Sequence, residues 1–350
     1  MRIFHKKVGT LLLFDYFCFK IRPNFVRRRN FFHPQTKFFS SADEIFFDCA
    51  TNSAQPHSRM LSILIPAYNH DCRSLARSLS QQADSLSCPV EIIVADDGSD
   101  DTRLRSLNAE IAALPHCRYI VREENVGRAA IRNFLAGEAR GEWLLFMDCD
   151  GQVVYLRFLQ NYLDAAHDCD VVCGGIVHTQ QFLTAHNRLR YDYERRAEQR
   201  FTAQARQQDA KLPFRTFCFM IRRKAFERVR FDESFRHYGY EDVLFGRQLR
   251  EAGLIIRHID NPLENTDIEA NPVFVAKTEE ALRTLRDHEP LFADDVRLLR
   301  LVRRLQSWHL LPLVRRLTAL IAPPLRRNLC TDRPLTRLFD LYKLGYYCQL

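Results

Sequence analysis

From Met60 onward the chain alternates two kinds of pattern. Short apolar runs at residues 62–66, 90–95, 118–122 and 143–147 predict β-strands, and between them apolar positions recur at helical spacing over 72–86, 102–114 and 128–139. Ser99 or Asp100 offers an N-cap for the second of these helices. A strand–helix series of this kind specifies an α/β fold with a parallel, doubly wound sheet. Trp143-Leu144-Leu145-Phe146-Met147 is apolar at both alternating sets of positions, as a strand in the middle of such a sheet should be. Further along, strands are predicted at 170–173, 217–222 and 255–259, with helices at 191–208 and 242–252.

Each of the first four strands runs out into polar residues. The clusters are Pro66-Ala67-Tyr68-Asn69, Asp96-Asp97-Gly98-Ser99, Asn125-Val126-Gly127-Arg128 and Asp148-Cys149-Asp150, and a doubly wound topology puts all four on one edge of the sheet. Ligands of open α/β sheets bind at the C-terminal ends of the strands. A solvated loop accounts for any one cluster; four in succession favour a site. Asp148 and Asp150 repel each other unless a cation sits between them, and Mg²⁺ or Mn²⁺ takes carboxylate oxygens while sharing its other positions with substrate phosphates. No Gly-x-Gly-x-x-Gly follows the first strand and no Gly-x-x-x-x-Gly-Lys-Ser/Thr occurs in the chain, so neither a dinucleotide dehydrogenase nor a P-loop enzyme is supported.

Charge changes the picture at the ends. The formal net charge of +8 divides into +6 over residues 1–59, −7 over 60–296 and +9 over 297–350. An acidic body argues against a nucleic-acid groove and leaves anionic partners to the termini. Residues 1–59 hold 11 of the 26 phenylalanines without clear periodicity, and Asp15 cuts the one apolar run that resembles a secretory signal. This segment is expected to be a disordered or mis-assigned leader, with Met60 as the working start. No stretch reaches the roughly 18 apolar residues of a spanning helix. The 11 cysteines include no Cys-x-x-Cys pair, which points away from zinc or a disulfide framework and toward a reducing cytoplasm.

Together these motifs resemble the family-2 glycosyltransferases of the GT-A fold, which are typically inverting and use nucleotide sugars. The matching pieces are Ser62-Ile63-Leu64-Ile65-Pro66-Ala67-Tyr68-Asn69, Val94-Ala95-Asp96-Asp97-Gly98-Ser99, Asn125-Val126-Gly127 with Arg132-Asn133, Asp148-Cys149-Asp150, and Tyr240-Glu241-Asp242. The resemblance covers about residues 60–285. It implies a mixed sheet with a nucleotide-binding half and an acceptor half, followed here by a C-terminal amphipathic helical extension. It also implies a donor site bordered by Pro66, Ala67, Tyr68 and Asn69. There Asp96 would accept from the base ring nitrogen, Asp97 would support its loop, and Asn125, Gly127 and Arg132 would lie near the donor. Asp150 would hold Mn²⁺ or Mg²⁺ on the diphosphate, with Asp148 at the ribose or sugar and beside the metal.

Direct displacement with inversion needs a base to take the acceptor hydroxyl's proton. Glu241-Asp242 supplies a carboxylate pair, and the family pattern gives Asp242 that role while Glu241 orients the acceptor. The first turn of a helix, where acids favour the dipole, explains the same pair without chemistry. His258 is a candidate third metal ligand, or a structural histidine on an apolar strand. Related sequences more often place a histidine near residues 261–265, where this chain has none. Gly174-Gly175 would let a sugar approach backbone closely, and the charged segment 191–208 reads as a solvated helix or a flap.

In the C-terminal part, Val296, Leu298, Leu299, Leu301, Val302, Leu305 and Trp308 interleave with arginines, and residues 310–321 repeat the theme before Pro323-Pro324 should end that helix. Such helices suit an anionic membrane surface, and packing on the body is the equal alternative. The expected function is transfer of a sugar, UDP-linked, to a glycan or polyprenyl-linked acceptor in bacterial surface polysaccharide synthesis, in the cytoplasm and peripherally at the inner membrane. The alternatives are a noncatalytic sugar- or partner-binding subunit of the same fold and a nucleotidyltransferase. The latter would want a basic, Gly-rich loop where Pro66-Ala67-Tyr68-Asn69 stands.

Overall fold

The computed structural model describes residues 60–350 apart from 210, 211, 213, 293 and 294. The leader expected at residues 1–59 lies outside the described residues. All described residues fall within one compact unit, Gln55–Leu350.

The strands are β1 (Leu61–Ala67), β2 (Val90–Asp96), β3 (Cys117–Val121), β4 (Trp143–Met147), β5 (Gly151–Val153), β6 (Val171–Cys173), β7 (Ile176–Val177), β8 (Cys218–Arg222), β9 (Ile256–His258) and β10 (Leu263–Asn265). The helices are α1 (Arg73–Ala83), α2 (Thr102–Asn108), α3 (Arg128–Glu138), α4 (Phe158–Asp164), α5 (Arg188–Arg200), α6 (Ala203–Gln208), α7 (Arg223–Arg228), α8 (Glu241–Glu251), α9 (Asn271–Asp287), α10 (Arg297–Ser307), α11 (Leu311–Leu329) and α12 (Phe339–Gln349). The main sheet has the order β3-β2-β1-β4-β8-β6-β9, and a small second sheet has the order β5-β10-β7. The first four strands are mutually parallel, and β8 then runs antiparallel to both β4 and β6. The sheet is therefore mixed, and β6 points the same way as β4.

Alternation along the strands sorts the core. Leu61, Ile63 and Ile65 of β1 pack on one face with Leu145 and Met147 of β4 and with α1 and α4. Leu64, Leu144 and Phe146 face the other side, against α3, α7 and α8. Burial on both faces explains why the β4 sequence carries no polar residue.

Several boundaries differ from expectation for local reasons. Asp101, rather than Ser99 or Asp100, caps α2 by accepting from the N–H groups of Arg103 and Leu104. The charged helix is split at Phe201-Thr202, where the Thr202 hydroxyl accepts from Ala205 N and starts α6. It is not a fully solvated element: Leu189 and Tyr191 are buried, Glu194 pairs with Arg215 at 3.0 Å, and Glu198 pairs with His178 at 2.5 Å. The proline pair does not end its helix; α11 runs through Pro323 and Pro324 to Leu329. The carbonyls left without an i+4 donor belong to Ala319 and Leu320, both exposed, so solvent can satisfy them.

The C-terminal helices belong to the body. Leu299 of α10 and Tyr347 of α12 share a core with Phe235, Leu244, Leu282, Leu285 and Phe292, which joins them to α8 and α9. Leu325 and Leu329 of α11 pack with Leu189, Val275, Phe339 and Tyr342. Among the described residues, no helix is long and apolar enough to cross a membrane.

Candidate active site

The polar strand ends meet along one edge. Ala67 lies opposite Asp96 in register, and its carbonyl accepts from Asp97 N at 2.8 Å. Asn69 N donates to Ser99 Oγ at 2.8 Å, and Tyr68 Oη donates to Asp100 at 2.7 Å, with the Tyr68 side chain half-exposed. Pro66 lies within β1 opposite Ala95. Asp96 is buried, with one oxygen accepting from Ser99 N (2.7 Å) and the other from Tyr119 Oη (3.0 Å). Each oxygen keeps a second lone pair for a ligand. Asp97 accepts from the N–H groups of Val126 and Gly127, both at 3.1 Å, so it ties the β2 loop to the start of α3. Asn125 Oδ1 accepts from the same Gly127 N. Gly98 has φ +69°, and a Cβ there would sit 2.6 Å from the backbone of Glu124 and Asn125. Only glycine lets these two loops lie this close.

Arg128 and Arg132, one helical turn apart on α3, both reach the end of β4. Arg128 Nη2 donates to Asp148 Oδ2 at 2.7 Å and Arg132 Nη2 to Asp148 Oδ1 at 2.5 Å. Arg132 is fully buried, held also by the Arg128 carbonyl and stacked on Phe231. Arg128 is half exposed, and its Nε donates to Glu241 Oε1 at 3.1 Å. One guanidinium thereby joins the donor-side strand end to the first turn of α8. Burial opposes ionisation of Asp148, but the charges of Arg128 and Arg132 outweigh it and hold its carboxyl below the usual range. Asp148, and then Glu241, hold the Arg128 guanidinium well above its usual value.

This alters the expected metal site. The cations that neutralise Asp148 belong to the chain, one on each of its oxygens, so Asp148 needs no metal to offset its charge and keeps a second lone pair on each oxygen for a ligand hydroxyl. Asp150 differs: no protein hydrogen bond reaches its carboxylate among the described residues, and burial together with the charge of Asp148 pushes it up. Its backbone carbonyl accepts from Thr266 N and Thr266 Oγ1, each at 3.0 Å, and Asn265 lies opposite Gly151 in the small sheet. His258 is not brought to this place. It lies on β9, three strands from β4 and so on the order of 14 Å away at ordinary strand spacing, where its Nδ1 accepts from Arg206 Nε at 3.1 Å. Burial and Arg206 lower it to about 4, which keeps the ring neutral. No group of three or more His, Cys, Asp and Glu side chains suited to a metal occurs among the described residues. The donor set fits a hard cation held by Asp150 and completed by ligand phosphates, rather than a cation caged by protein alone.

Across Arg128 stand the paired acids of α8. Tyr240, in left-handed backbone conformation (φ +68°), precedes them and makes the sharp entry to the helix. Glu241 is buried on Arg128. Among the described residues Asp242 accepts only from the neighbouring Val243 N at 2.8 Å, and burial, then the charge of Glu241, push it up to about 7. Arg215 acts against that rise, and it also lines a cavity of about 550 Å³ with Gly174, Gly175, Glu198, Arg206 and Asp260. Gly174 and Gly175 follow β6, and because β6 runs parallel to β4 this part of the cavity lining lies at the same sheet edge.

The sequence singled out Asp148, Asp150, Glu241 and Asp242 but not Arg128 or Arg215. Arginines four apart at the start of a helix that follows a polar strand end are a readable signal for the first. Nothing local marks the second.

Residues 62–230 form a domain that matches the model of the glycosyl transferase family 2. Its α/β mixed sheet is of the GT-A type: a mannosyltransferase of Pyrobaculum calidifontis, solved with GDP-Man and Mn²⁺, superposes with TM-score 0.52 at 14% identity, covering 82% of this chain and 85% of that one. An uncharacterized glycosyltransferase of Haemophilus influenzae is 38% identical over 35% of this chain and 44% of its own length. The uncharacterized glycosyltransferase YfnE of Bacillus subtilis is 25% identical, over 65% of this chain and 72% of its own. The chain spans about half the length of the Haemophilus relatives it matches, 48% and 44%.

Proposed function

We propose that the chain is an inverting glycosyltransferase that moves a sugar from a nucleoside-diphosphate donor to a glycan or polyprenyl-linked acceptor at the cytoplasmic face of a membrane, in surface polysaccharide assembly. The observation that carries this reading is the contact chain Asp148–Arg128–Glu241. It supports a single site, because Asp150, whose carboxylate meets no protein hydrogen-bond donor among the described residues, and Asp242, pushed up to about 7, each adjoin one end of that chain of contacts.

The residues divide the work. Ala67 and Tyr68 border the nucleobase, with Asp96 accepting from a ring N–H. A base presenting N–H to a carboxylate is found in both uracil and guanine; UDP is the first choice, and GDP, carried by the Pyrobaculum neighbour, is the second. Asp150 would hold Mn²⁺ or Mg²⁺, which when bound stabilises the charge that builds on the leaving diphosphate. Arg128 and Arg132 keep Asp148 ionised and fixed, so it accepts from donor hydroxyls without moving. On the acceptor side, Asp242 takes the hydroxyl proton while that oxygen bonds to the anomeric carbon. The bond from that carbon to the diphosphate breaks, and its electron pair leaves with the nucleotide. A base titrating near 7 is well matched to this task. Glu241, locked on Arg128, orients the acceptor, and the cavity beside Arg215 gives the acceptor room.

A thermal-stability screen of the purified chain against UDP- and GDP-sugars with Mn²⁺ or Mg²⁺, with nucleotide release as second readout, tests the reading. Stabilisation by a donor only in the presence of metal, followed by nucleotide release, is expected. Indifference to every donor would leave a noncatalytic member of the family.

A further inference from the structure

The body leaves one apolar helix face uncovered. On α11 the side turned inward buries Val314, Thr318, Leu325 and Leu329. On an adjoining side, Leu310, Leu313, Leu317, Leu320 and Ile321 are 41%, 55%, 51%, 77% and 39% exposed. Their spacing of three and four residues makes one continuous stripe, and Trp308, 51% exposed, stands at its head. A stripe of this length on a helix already anchored by its buried side is not required for folding.

The charge around it is one-sided. Residues 297–329 contain eight arginines and no acid. Arg304, Arg315, Arg316 and Arg327 are all exposed, and Arg316 and Arg327 flank the stripe on the helix wheel.

The geometry points to an anionic lipid surface as the occupant of this face: the α11 stripe enters the headgroup boundary while the arginines meet lipid phosphates. A second copy would set the exposed Arg304, Arg315, Arg316 and Arg327 near their like charges, and residues 1–59, at +6, would meet the same repulsion. A bilayer rich in acidic headgroups satisfies both the apolar and the charged requirement. The inference rests on α10 and α11 alone, and it stands whether or not the site transfers a sugar. If both hold, the docked face would bring the site to acceptors anchored in the same surface.

The test is co-sedimentation of the full chain with vesicles of phosphatidylcholine alone or with a third phosphatidylglycerol, with donor-induced thermal stabilisation measured alongside. Binding to the anionic vesicles and not the neutral ones is expected, weakening about fivefold for each of Arg316→Gln and Arg327→Gln. Leu317→Ser with Leu320→Ser should lower partitioning on the order of tenfold or more, with melting temperature and donor response unchanged. Equal binding to neutral and anionic vesicles, no binding to either, or a dimer in analytical ultracentrifugation that the leucine pair abolishes would overturn it. Failure of the donor response with vesicle binding intact would count against the transferase reading alone.

Discussion

Replacing Asp242 by asparagine should separate two properties that a structural acid would not separate. A free aspartate titrates near 3.8, whereas burial and the neighbouring Glu241 carry Asp242 up to about 7. The folded state therefore holds this proton more tightly than the unfolded chain does. Its stability cost is absent below about pH 4, grows as pH rises toward 7, and is constant above. Three units at about 1.4 kcal/mol each set the ceiling near 4 kcal/mol. Asparagine keeps the acceptor for Val243 N but cannot ionise. In urea denaturation without donor or metal, Asp242→Asn should match the wild type within about 1 kcal/mol at pH 4.5 and exceed it by up to about 4 kcal/mol at pH 8.5. The same variant should lose transfer by about 10²- to 10⁴-fold while keeping donor-induced stabilisation. Wild-type kcat/KM should rise with pH through about 7, as the base loses its proton. A stability gap equal at the two pH values, or retained transfer, would refute the assignment.

Arg132 is fully buried against Asp148, so Arg132→Met should destabilise by about 3–5 kcal/mol in denaturant melts, and adding Asp148→Asn should recover part of that loss. Gly98→Ala should cost more than about 1 kcal/mol because the new methyl meets the Glu124–Asn125 backbone at 2.6 Å in a left-handed residue. Gly137→Ala, in α3 with nothing within 4 Å of the added methyl, should instead stabilise by about 0.5–1 kcal/mol in the same melts.

The sheet was legible because its strands carry their burial in their own residues. Trp143–Met147 is a strand with the bounds its apolar run gives, and β1, β2 and α3 differ from expectation by a residue or so at their ends. The proline pair misled because interior proline disrupts a helix only where the orphaned carbonyls lack another partner, and Ala319 and Leu320 face solvent. The break at Phe201-Thr202 was missed because a threonine inside a charged run looks like any other polar position until its hydroxyl is seen to cap. At the site, the carboxylates were visible as pairs, but what neutralises them was not. Asp148 is satisfied by Arg128 and Arg132, which lie 20 and 16 residues earlier in the chain. His258 was a candidate metal ligand by family resemblance, with a structural histidine as the alternative, and the sheet order, β4-β8-β6-β9, sets it three strands from β4.

The central claim is that Asp150 is the carboxylate reserved for a donor-bound cation. The most direct measurement is the Mn²⁺ dependence of nucleotide-sugar binding by calorimetry, for the wild type and for Asp150→Ala. The account predicts donor binding that requires metal in the wild type and is lost in the variant, whose unliganded stability is equal or higher because a half-buried carboxylate with no hydrogen-bond donor among the described residues has been removed. Metal-dependent donor binding that survives Asp150→Ala would contradict it.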